Sequence, residues 1–239
     1  METHAAYDIA IIGGGIAGLS AASALADAGH RVTVLEIAAE WATSGWGLSL
    51  TGPCLRALDT IGVVDDCLAT GYGVAAISNC NYRGEVLNVI PLPTLLGEGP
   101  AQVGISRPAF QRILLDAASR RGIVLRPGTT LAGLRQDGDG VELALTDGTM
   151  INADLVIGAD GFRSQTREAI GITVTPEYTS QMVWRAVVPR PAWLTTLHTF
   201  AGPVHNAGVI PISDAEAYFF LTENDAPLGA LPEEELHDR

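Results

Sequence analysis

The sequence predicts an α/β fold in which a parallel sheet with flanking helices is followed by antiparallel strands. The first observation is a strand, a glycine-rich turn, a helix and a second strand within the first 36 residues, which together make one βαβ unit. The second is a short apolar run at 154–158, typical of a buried parallel strand. The third is a change of pattern beyond residue 175, where the runs 181–188, 206–212 and 217–222 predict antiparallel strands.

Local composition predicts each element of the first unit. Residues 7–12 are apolar and end in glycines, so they predict a buried strand. Residues 16–28 are rich in Ala, Leu and Ser and predict a helix. Gly29 is expected to end that helix, because glycine tolerates the left-handed conformation found there. The β-branched run 31–35 predicts the second strand.

The middle of the chain predicts helices, turns and short strands. Helices are expected at 51–61, 64–69 and 106–121, the last with Ser106 as N-cap and Gly122 as terminator. Arg83-Gly84 predicts a hairpin, and the proline-rich stretch that follows it predicts a loop. Further strands are predicted at 123–126, 129–136 and 141–146.

The composition is that of an acidic globular chain. Its 239 residues are 47% hydrophobic and 17% charged, which suffices for one large domain or two small ones. The net charge of −13 disfavours nucleic acid and anionic membranes as partners. Three widely spaced cysteines form no zinc pattern, so no metal site is predicted. An odd cysteine count without a basic signal sequence predicts a cytoplasmic location.

The glycine turn predicts a dinucleotide site. Gly13, Gly15 and Gly18 fit the GxGxxG pattern, with Gly14 between the first two. Their expected roles are a tight turn, close approach of a pyrophosphate and close packing of the helix on the sheet. Glu36 ends the second strand, where its carboxylate is expected to accept hydrogen bonds from ribose hydroxyls and to disfavour a 2′-phosphate. This pattern by itself leaves NAD and FAD open.

Three later motifs favour FAD through a family resemblance. They are the segment 158–167 (GADGFRSQTR), Ser106-Arg107-Pro108 at a helix start, and the strand 183–189 (VWRAVVP). With these motifs the chain resembles the flavoprotein monooxygenases of the aromatic-hydroxylase type, in the salicylate- and urate-hydroxylase-like branch. The resemblance covers essentially the whole chain.

The resemblance implies a Rossmann-like FAD-binding domain of the GR2 type with an inserted antiparallel-sheet substrate domain. The FAD-binding domain is expected at 1–73 plus 101–175, and an incomplete substrate domain at 74–100 plus 176–239. Asp160 is expected to hold its loop near the pyrophosphate, Arg107 to contact FAD, and Leu131 to touch adenine through backbone atoms. Trp41 and Trp46 are expected to have core or surface roles.

The implied activity is hydroxylation of a small aromatic or heteroaromatic substrate. NAD(P)H would reduce FAD, and O₂ would then form a flavin C4a-hydroperoxide that transfers the oxygen. His205 and His198 are candidates for a base that deprotonates the substrate. Arg185 is a candidate for binding a substrate carboxylate, or else for pairing with an acid on the sheet. Because neighbouring strand residues face opposite sides, Trp184 and Arg185 are not expected to face the same pocket.

Two alternatives stay open at this point. One is another FAD oxidoreductase of the same fold, such as a reductase, dehydrogenase or halogenase. The other is a truncated, non-catalytic FAD-binding remnant, because the family's later GD motif does not occur after residue 200. The acidic run that begins at Pro232 also predicts a helix start very close to the last residue. The sequence predicts neither the oligomeric state nor the substrate.

Overall fold

The computed structural model describes residues 5–41, 45–97, 99–138 and 140–224. The strands are β1 Asp8–Ile12, β2 Arg31–Glu36, β3 Gly47–Leu50, β4 Tyr72–Val74, β5 Ala76–Asn81, β6 Val86–Pro91, β7 Gln102–Ser106, β8 Val124–Pro127, β9 Leu131–Asp137, β10 Gly140–Leu145, β11 Met150–Ala153, β12 Leu155–Gly158, β13 Gln181–Pro189, β14 Leu197–Ala201, β15 Asn206–Pro211 and β16 Glu216–Asn224. The helices are α1 Ile16–Asp27, α2 Gly52–Thr60, α3 Val64–Thr70, α4 Arg107–Arg120 and α5 Gln165–Ala169.

A parallel sheet of strand order β12-β1-β2-β8 forms the middle layer of the first part of the fold. Because side chains alternate along a strand, β1 presents two apolar faces. Ile9 and Ile11 pack into a core with α1 and α4, while Ala10 and Ile12 pack against the antiparallel sheet β11-β10-β9. The strand is therefore buried between two layers, which explains its unbroken apolar sequence.

The predicted helix ends are confirmed by their geometry. The Ser106 hydroxyl accepts a hydrogen bond from the Ala109 N–H at the start of α4, as an N-cap does. Gly29 and Gly122 follow α1 and α4 with φ of +91° and +70°, a conformation that costs glycine little. These ends set where the strands β2 and β8 begin.

A six-stranded mixed sheet makes up the second part of the fold, in the order β13-β16-β15-β14-β5-β6. All neighbouring strands are antiparallel except β14 and β5, which run parallel. Ile210, Ile212 and Tyr218 of this part pack with Val74. That contact joins the sheet to the small antiparallel sheet β3-β7-β4.

The α/β class and most predicted elements are confirmed, but five short strands were not predicted: β3, β4, β7, β11 and β14. All five contain five residues or fewer, which is too short for a clear alternation, and β14 is also an interior strand with partly buried residues on both faces. The domain boundary expected between residues 73 and 74 falls inside β4. The division into two domains stays a prediction. The helix start predicted at Pro232 lies outside the described residues.

Removal of a core side chain tests this packing. Leu114 of α4 is completely buried, so Leu114→Ala is expected to lower the free energy of unfolding by about 2–5 kcal/mol. Leu87 of β6 is 64% exposed, and Leu87→Ala is expected to change it by less than about 0.5 kcal/mol. Urea unfolding of both variants measures the difference, and equal losses would contradict the assigned core.

Candidate functional site

The carboxyl ends of the parallel strands border a cleft of about 530 Å³. Its walls come from the loop after β1, the end of β2, the start of β9 and the loop after β12. The lining residues are Gly13, Gly15, Glu36, Ile37, Thr130, Ala159, Asp160, Gly161, Arg163 and Gln165. In open α/β sheets ligands bind at this end of the strands, so the cleft is the candidate site.

Backbone pairing brings the two sequence motifs together. β1 and β12 run parallel with Ile12 opposite Gly158, so the loops that follow them are neighbours. The Ala159 N–H donates to the Ile12 carbonyl oxygen at 2.7 Å, and the Gly13 N–H donates to the Leu35 carbonyl oxygen at 2.8 Å. The glycine loop and the GADG segment thus face the same cleft although they are far apart in sequence.

Two glycines of the first loop have no room for a side chain. A Cβ at Gly13 would overlap the Ala159 carbonyl, and Gly13 has a φ of +107°. A Cβ at Gly18 would overlap the Gly13 carbonyl oxygen. The positive φ of Gly13 suits the tight turn expected there, and the contact of Gly18 presses the start of α1 against the end of β1, the close packing expected of that position.

Gly15 lies in a different environment, although it belongs to the same motif. A Cβ there would meet no atom within 4 Å, and the residue lines the cleft as the N-cap of α1. The N–H groups of the first helical turn therefore open toward the cleft without a capping side chain. Such a helix start attracts anions through its free donors and its dipole.

Gly14 is held from several sides by groups that the motif does not contain. Its N–H donates to Glu36 Oε2 at 2.8 Å, and its carbonyl accepts from Gln111 Nε2 of α4 at 2.7 Å. The Trp41 ring fills the space beside its Cα. Sequence reasoning missed Gln111 and this role of Trp41. Gln111 lies one turn after Arg107 and is buried, but that burial is set by the tertiary structure and the local sequence carries no signal for it.

Glu36 joins the loop to the cleft. Its second oxygen, Oε1, accepts from the Ala38 N–H at 2.9 Å, so both carboxylate oxygens have backbone donors. A carboxylate has about four lone-pair sites, so both oxygens can still accept from a ligand. The side chain lines the cleft. The structure therefore gives this residue a loop-ordering role in addition to the predicted ribose contact.

Asp160 organises the second loop. Its Oδ1 accepts from the Ser164 hydroxyl at 2.6 Å, and its Oδ2 accepts from the Thr166 N–H at 2.9 Å and hydroxyl at 3.0 Å. Burial is the largest single influence on the Asp160 pKa and raises it. The hydrogen bonds from Ser164, from Thr166 and from the backbone of Asp160 itself together outweigh burial, so the net pKa lies below its ordinary value. Through its hydrogen bonds to Ser164 and Thr166, the Asp160 carboxylate holds the start of α5 in place.

The remaining predicted FAD contacts, Arg107 and Leu131, do not line the cleft. Arg107 begins α4, donates its N–H to the Trp46 carbonyl oxygen at 2.7 Å, and packs its side chain beside Gly45. Leu131 has its side chain in the core, whereas the preceding Thr130 lines the cleft. The FAD contacts of Arg107 and Leu131 stay predictions.

The candidates for substrate chemistry are not part of the cleft. Arg185 lies on β13 with an exposed side chain, and none of the ion pairs within the described ranges includes it. His205 is exposed in the turn between β14 and β15. Strand register puts His198 on the opposite face of the sheet from Arg185, with its ring 5.3 Å from Trp193. The structure therefore does not bring these three residues together.

The fold and the cleft define an α/β dinucleotide-binding protein. The chain belongs to the FAD binding domain family, whose sequence profile matches residues 6–239. It is 31% identical over 226 residues to aurachin C monooxygenase/isomerase of Stigmatella aurantiaca, covering 93% of this chain and 58% of that protein. It is 34% identical over 184 residues to 3-amino-4-hydroxybenzoate 2-monooxygenase of Streptomyces cremeus, covering 76% and 46%.

Solved structures agree with this assignment. Klebsiella pneumoniae HpxO complexed with FAD and uric acid superposes with a TM-score of 0.81 at 29% identity, covering 95% of this chain and 59% of that one. The FAD-dependent urate hydroxylase of Klebsiella oxytoca is 31% identical over 92% of this chain. The resemblance to FAD-dependent aromatic hydroxylases is therefore confirmed. The chain matches only 46% to 59% of the length of these relatives.

No helix in the described ranges is long and apolar enough to cross a bilayer. Within the same ranges, no three His, Cys, Asp or Glu side chains lie close enough to hold a metal ion.

Two alanine substitutions in one loop test the assigned packing. Gly18→Ala is expected to lower the melting temperature by several degrees, because its methyl group would overlap the Gly13 carbonyl oxygen. Gly15→Ala is expected to leave it nearly unchanged, because the space at that position is open. Differential scanning calorimetry compares them, and a destabilising Gly15→Ala with a neutral Gly18→Ala would contradict this geometry.

The Asp160 carboxylate predicts a pH-dependent contribution to stability. A carboxyl group whose folded pKa is lowered stabilises the fold above its unfolded pKa, and this stabilisation is lost as the pH falls through the folded value. Wild type is therefore expected to exceed Asp160→Asn in unfolding free energy by a constant margin near neutral pH. The margin should shrink below about pH 3.8, the group's ordinary pKa. Urea unfolding from pH 7 to pH 3 measures it, and a margin that grows on acidification would contradict it.

Proposed function

We propose that the chain binds FAD and belongs to a monooxygenase that hydroxylates a small aromatic or heteroaromatic compound. The observation that carries the proposal is the single cleft that unites the glycine loop, Glu36 and the GADG segment. A glycine loop alone is compatible with NAD. The GADG loop beside it, in a chain of the FAD binding domain family, favours FAD.

The cleft suits the adenosine diphosphate half of FAD. The pyrophosphate would lie on the N–H groups at the start of α1, next to Gly15, where no side chain obstructs it. The Glu36 carboxylate would accept from the ribose hydroxyls and would repel a 2′-phosphate. Thr130 lines the side of the cleft where the adenine ring would lie.

The flavin end would lie toward Arg107 and the six-stranded sheet. Arg107 follows β7 and packs beside Gly45, which precedes β3. The sheet closes over the same region, since Tyr218 packs against Gly47. When bound, FAD would supply hydride acceptance from NAD(P)H and activation of O₂ for hydroxylation. The chain's own part is to bind FAD, orient the aromatic ring and restrict water.

The relatives support this substrate class. Urate and 3-amino-4-hydroxybenzoate, which appear in their names, are small aromatic or heteroaromatic compounds with polar groups on the ring. The same fold also suits an oxidoreductase that passes electrons without oxygenating its substrate. The test below distinguishes the two activities.

The visible spectrum of the purified chain tests the cofactor. Bound flavin bands, or their return after FAD is added to the apoprotein, are the expected result. Gly15→Ala is expected to weaken FAD binding at least about tenfold while the protein stays folded, because its methyl group would separate the pyrophosphate from the helix start. Gly133→Ala, whose added Cβ would make only ordinary contacts, is the matched control.

Turnover tests the reaction class. NAD(P)H oxidation is followed with an aromatic substrate panel, and products are identified by mass spectrometry. Hydroxylated product in step with NAD(P)H consumption supports the monooxygenase. NAD(P)H consumption without an oxygenated product would favour an oxidoreductase of the same fold. A colourless protein that FAD cannot reconstitute would refute the proposal for this chain.

A further inference from the structure

The peptide unit between Gly14 and Gly15 is the part of the glycine loop with the greatest backbone freedom. It has a residue without a Cβ on each side, so the unit can turn over at little steric cost. Its orientation decides which group the cleft receives, because a planar trans unit points its carbonyl and its N–H in opposite directions. When the Gly14 carbonyl faces the interior, the Gly15 N–H faces the cleft that Gly15 lines.

Gln111 holds the Gly14 carbonyl on the interior side. Its Nε2 donates to the carbonyl oxygen at 2.7 Å, from a position on α4. A carbonyl oxygen only accepts hydrogen bonds, so the amide nitrogen is the atom of Gln111 that can make this contact. Gln111 is 4% exposed, and a hydrogen bond in such a buried place is stronger than one in water. The bond therefore fixes the direction of the carbonyl.

Glu36 does not fix the same peptide unit. Its Oε2 accepts from the Gly14 N–H, which belongs to the unit between Gly13 and Gly14. The next unit turns about the ψ angle of Gly14 and the φ angle of Gly15, and this bond leaves both angles free. Among the described residues, Gln111 is the one side chain that donates to the Gly14 carbonyl. The two side chains thus hold successive units of the loop.

The Gly15 N–H is left without a protein acceptor by this arrangement. Gly15 is the N-cap of α1, and no acceptor within the described ranges takes its N–H. A Cβ at Gly15 would meet no atom within 4 Å, so the space beside the residue is open. The Gly15 N–H therefore joins the donors of the first helical turn that face the cleft.

We infer that Gln111 is a positioning residue for the pyrophosphate of FAD, because it holds the Gly14 carbonyl in the core and so aims the Gly15 N–H at the phosphate oxygens. The inference rests on the proposed function and adds to it a residue that does not line the cleft. Without the Gln111 donor, the peptide unit can turn over and present the Gly14 carbonyl oxygen to the pyrophosphate. The ligand then loses a hydrogen bond to a charged group and meets a repelling acceptor.

The expected effect is confined to the phosphate part of the ligand. Glu36 and Thr130 line the cleft where the ribose and the adenine ring would lie. Neither has a hydrogen bond to Gln111 in the part of the chain that the structure describes. Adenosine therefore probes the ribose and adenine contacts alone, whereas ADP adds the pyrophosphate contact that depends on Gln111.

Titrations of the full-length chain with ADP and with adenosine, followed by ¹⁵N–¹H NMR, test the inference. Gln111→Met keeps an unbranched side chain of similar length and lacks the donor. The variant is expected to weaken ADP binding at least about tenfold and to change adenosine binding by less than about twofold. A general loosening of the fold would weaken the binding of both ligands.

Gln102→Met is the matched control. Gln102 is also a buried glutamine, 5% exposed, and its Nε2 donates to the Ser49 hydroxyl oxygen between the paired strands β7 and β3. The substitution therefore removes a buried side-chain hydrogen bond of the same kind at a place outside the glycine loop. Gln102→Met is expected to keep the wild-type ratio of the ADP and adenosine affinities. Melting temperatures confirm that both variants are folded.

The wild type offers a second measurement that does not depend on the folding of a variant. The Gly15 amide resonance is expected to shift strongly when ADP is added and only slightly when adenosine is added, because the phosphate is the expected acceptor. Equal shifts of this resonance with the two ligands would overturn the inference.

The outcomes separate this inference from the proposed function. A chain that binds FAD, but in which Gln111→Met weakens ADP and adenosine equally or weakens neither, keeps the proposed function and overturns the positioning role. A wild-type chain that binds neither FAD nor ADP contradicts the proposed function and the inference with it.

Discussion

The contact between the start of α1 and the end of β1 is the constraint on which the rest of the site depends. Gly18 lies against the Gly13 carbonyl, and Gly13 lies against Ala159 of the second loop. Only residues without a Cβ allow three backbone segments to approach this closely. The approach directs the free N–H groups of the first helical turn into the cleft. Gln111 and Glu36 then hold Gly14 from two sides, so the loop has its shape before any ligand arrives.

Asp160 fixes the shape of the second loop, as Gln111 and Glu36 fix the shape of the glycine loop. A carboxylate at the end of β12 satisfies the hydroxyl of Ser164 and both donors of Thr166, so it ties the loop to the start of α5. Register between β1 and β12 brings that loop beside the glycine loop. Both predicted carboxylates of the cleft, Glu36 and Asp160, are thus engaged with backbone or hydroxyl donors. These hydrogen bonds hold both loops in place, and in Glu36 they leave lone pairs on both oxygens for the proposed ribose contact.

The site could be predicted from the sequence where a single residue type is chemically required. The glycines of the loop, Glu36 at a strand end and Asp160 after a strand all follow from local patterns. Gln111 and Trp41 could not be predicted, because they reach Gly14 from α4 and from the segment after β2. The short strands β3, β7 and β14 were missed for a related reason. They are stable because of their pairing partners, and their own composition carries no clear alternation.

The sequence by itself determined the α/β class, the first βαβ unit, the helix ends at Ser106, Gly29 and Gly122, and the dinucleotide motif. These features depend on neighbouring residues, since periodicity, capping and backbone freedom are local properties. Only the tertiary structure decided which face of the six-stranded sheet Arg185 and His198 occupy, and which side chains align with them. A shift of one residue in strand register would exchange the two faces. That register is set by pairing across the whole sheet, which no local pattern in the chain specifies.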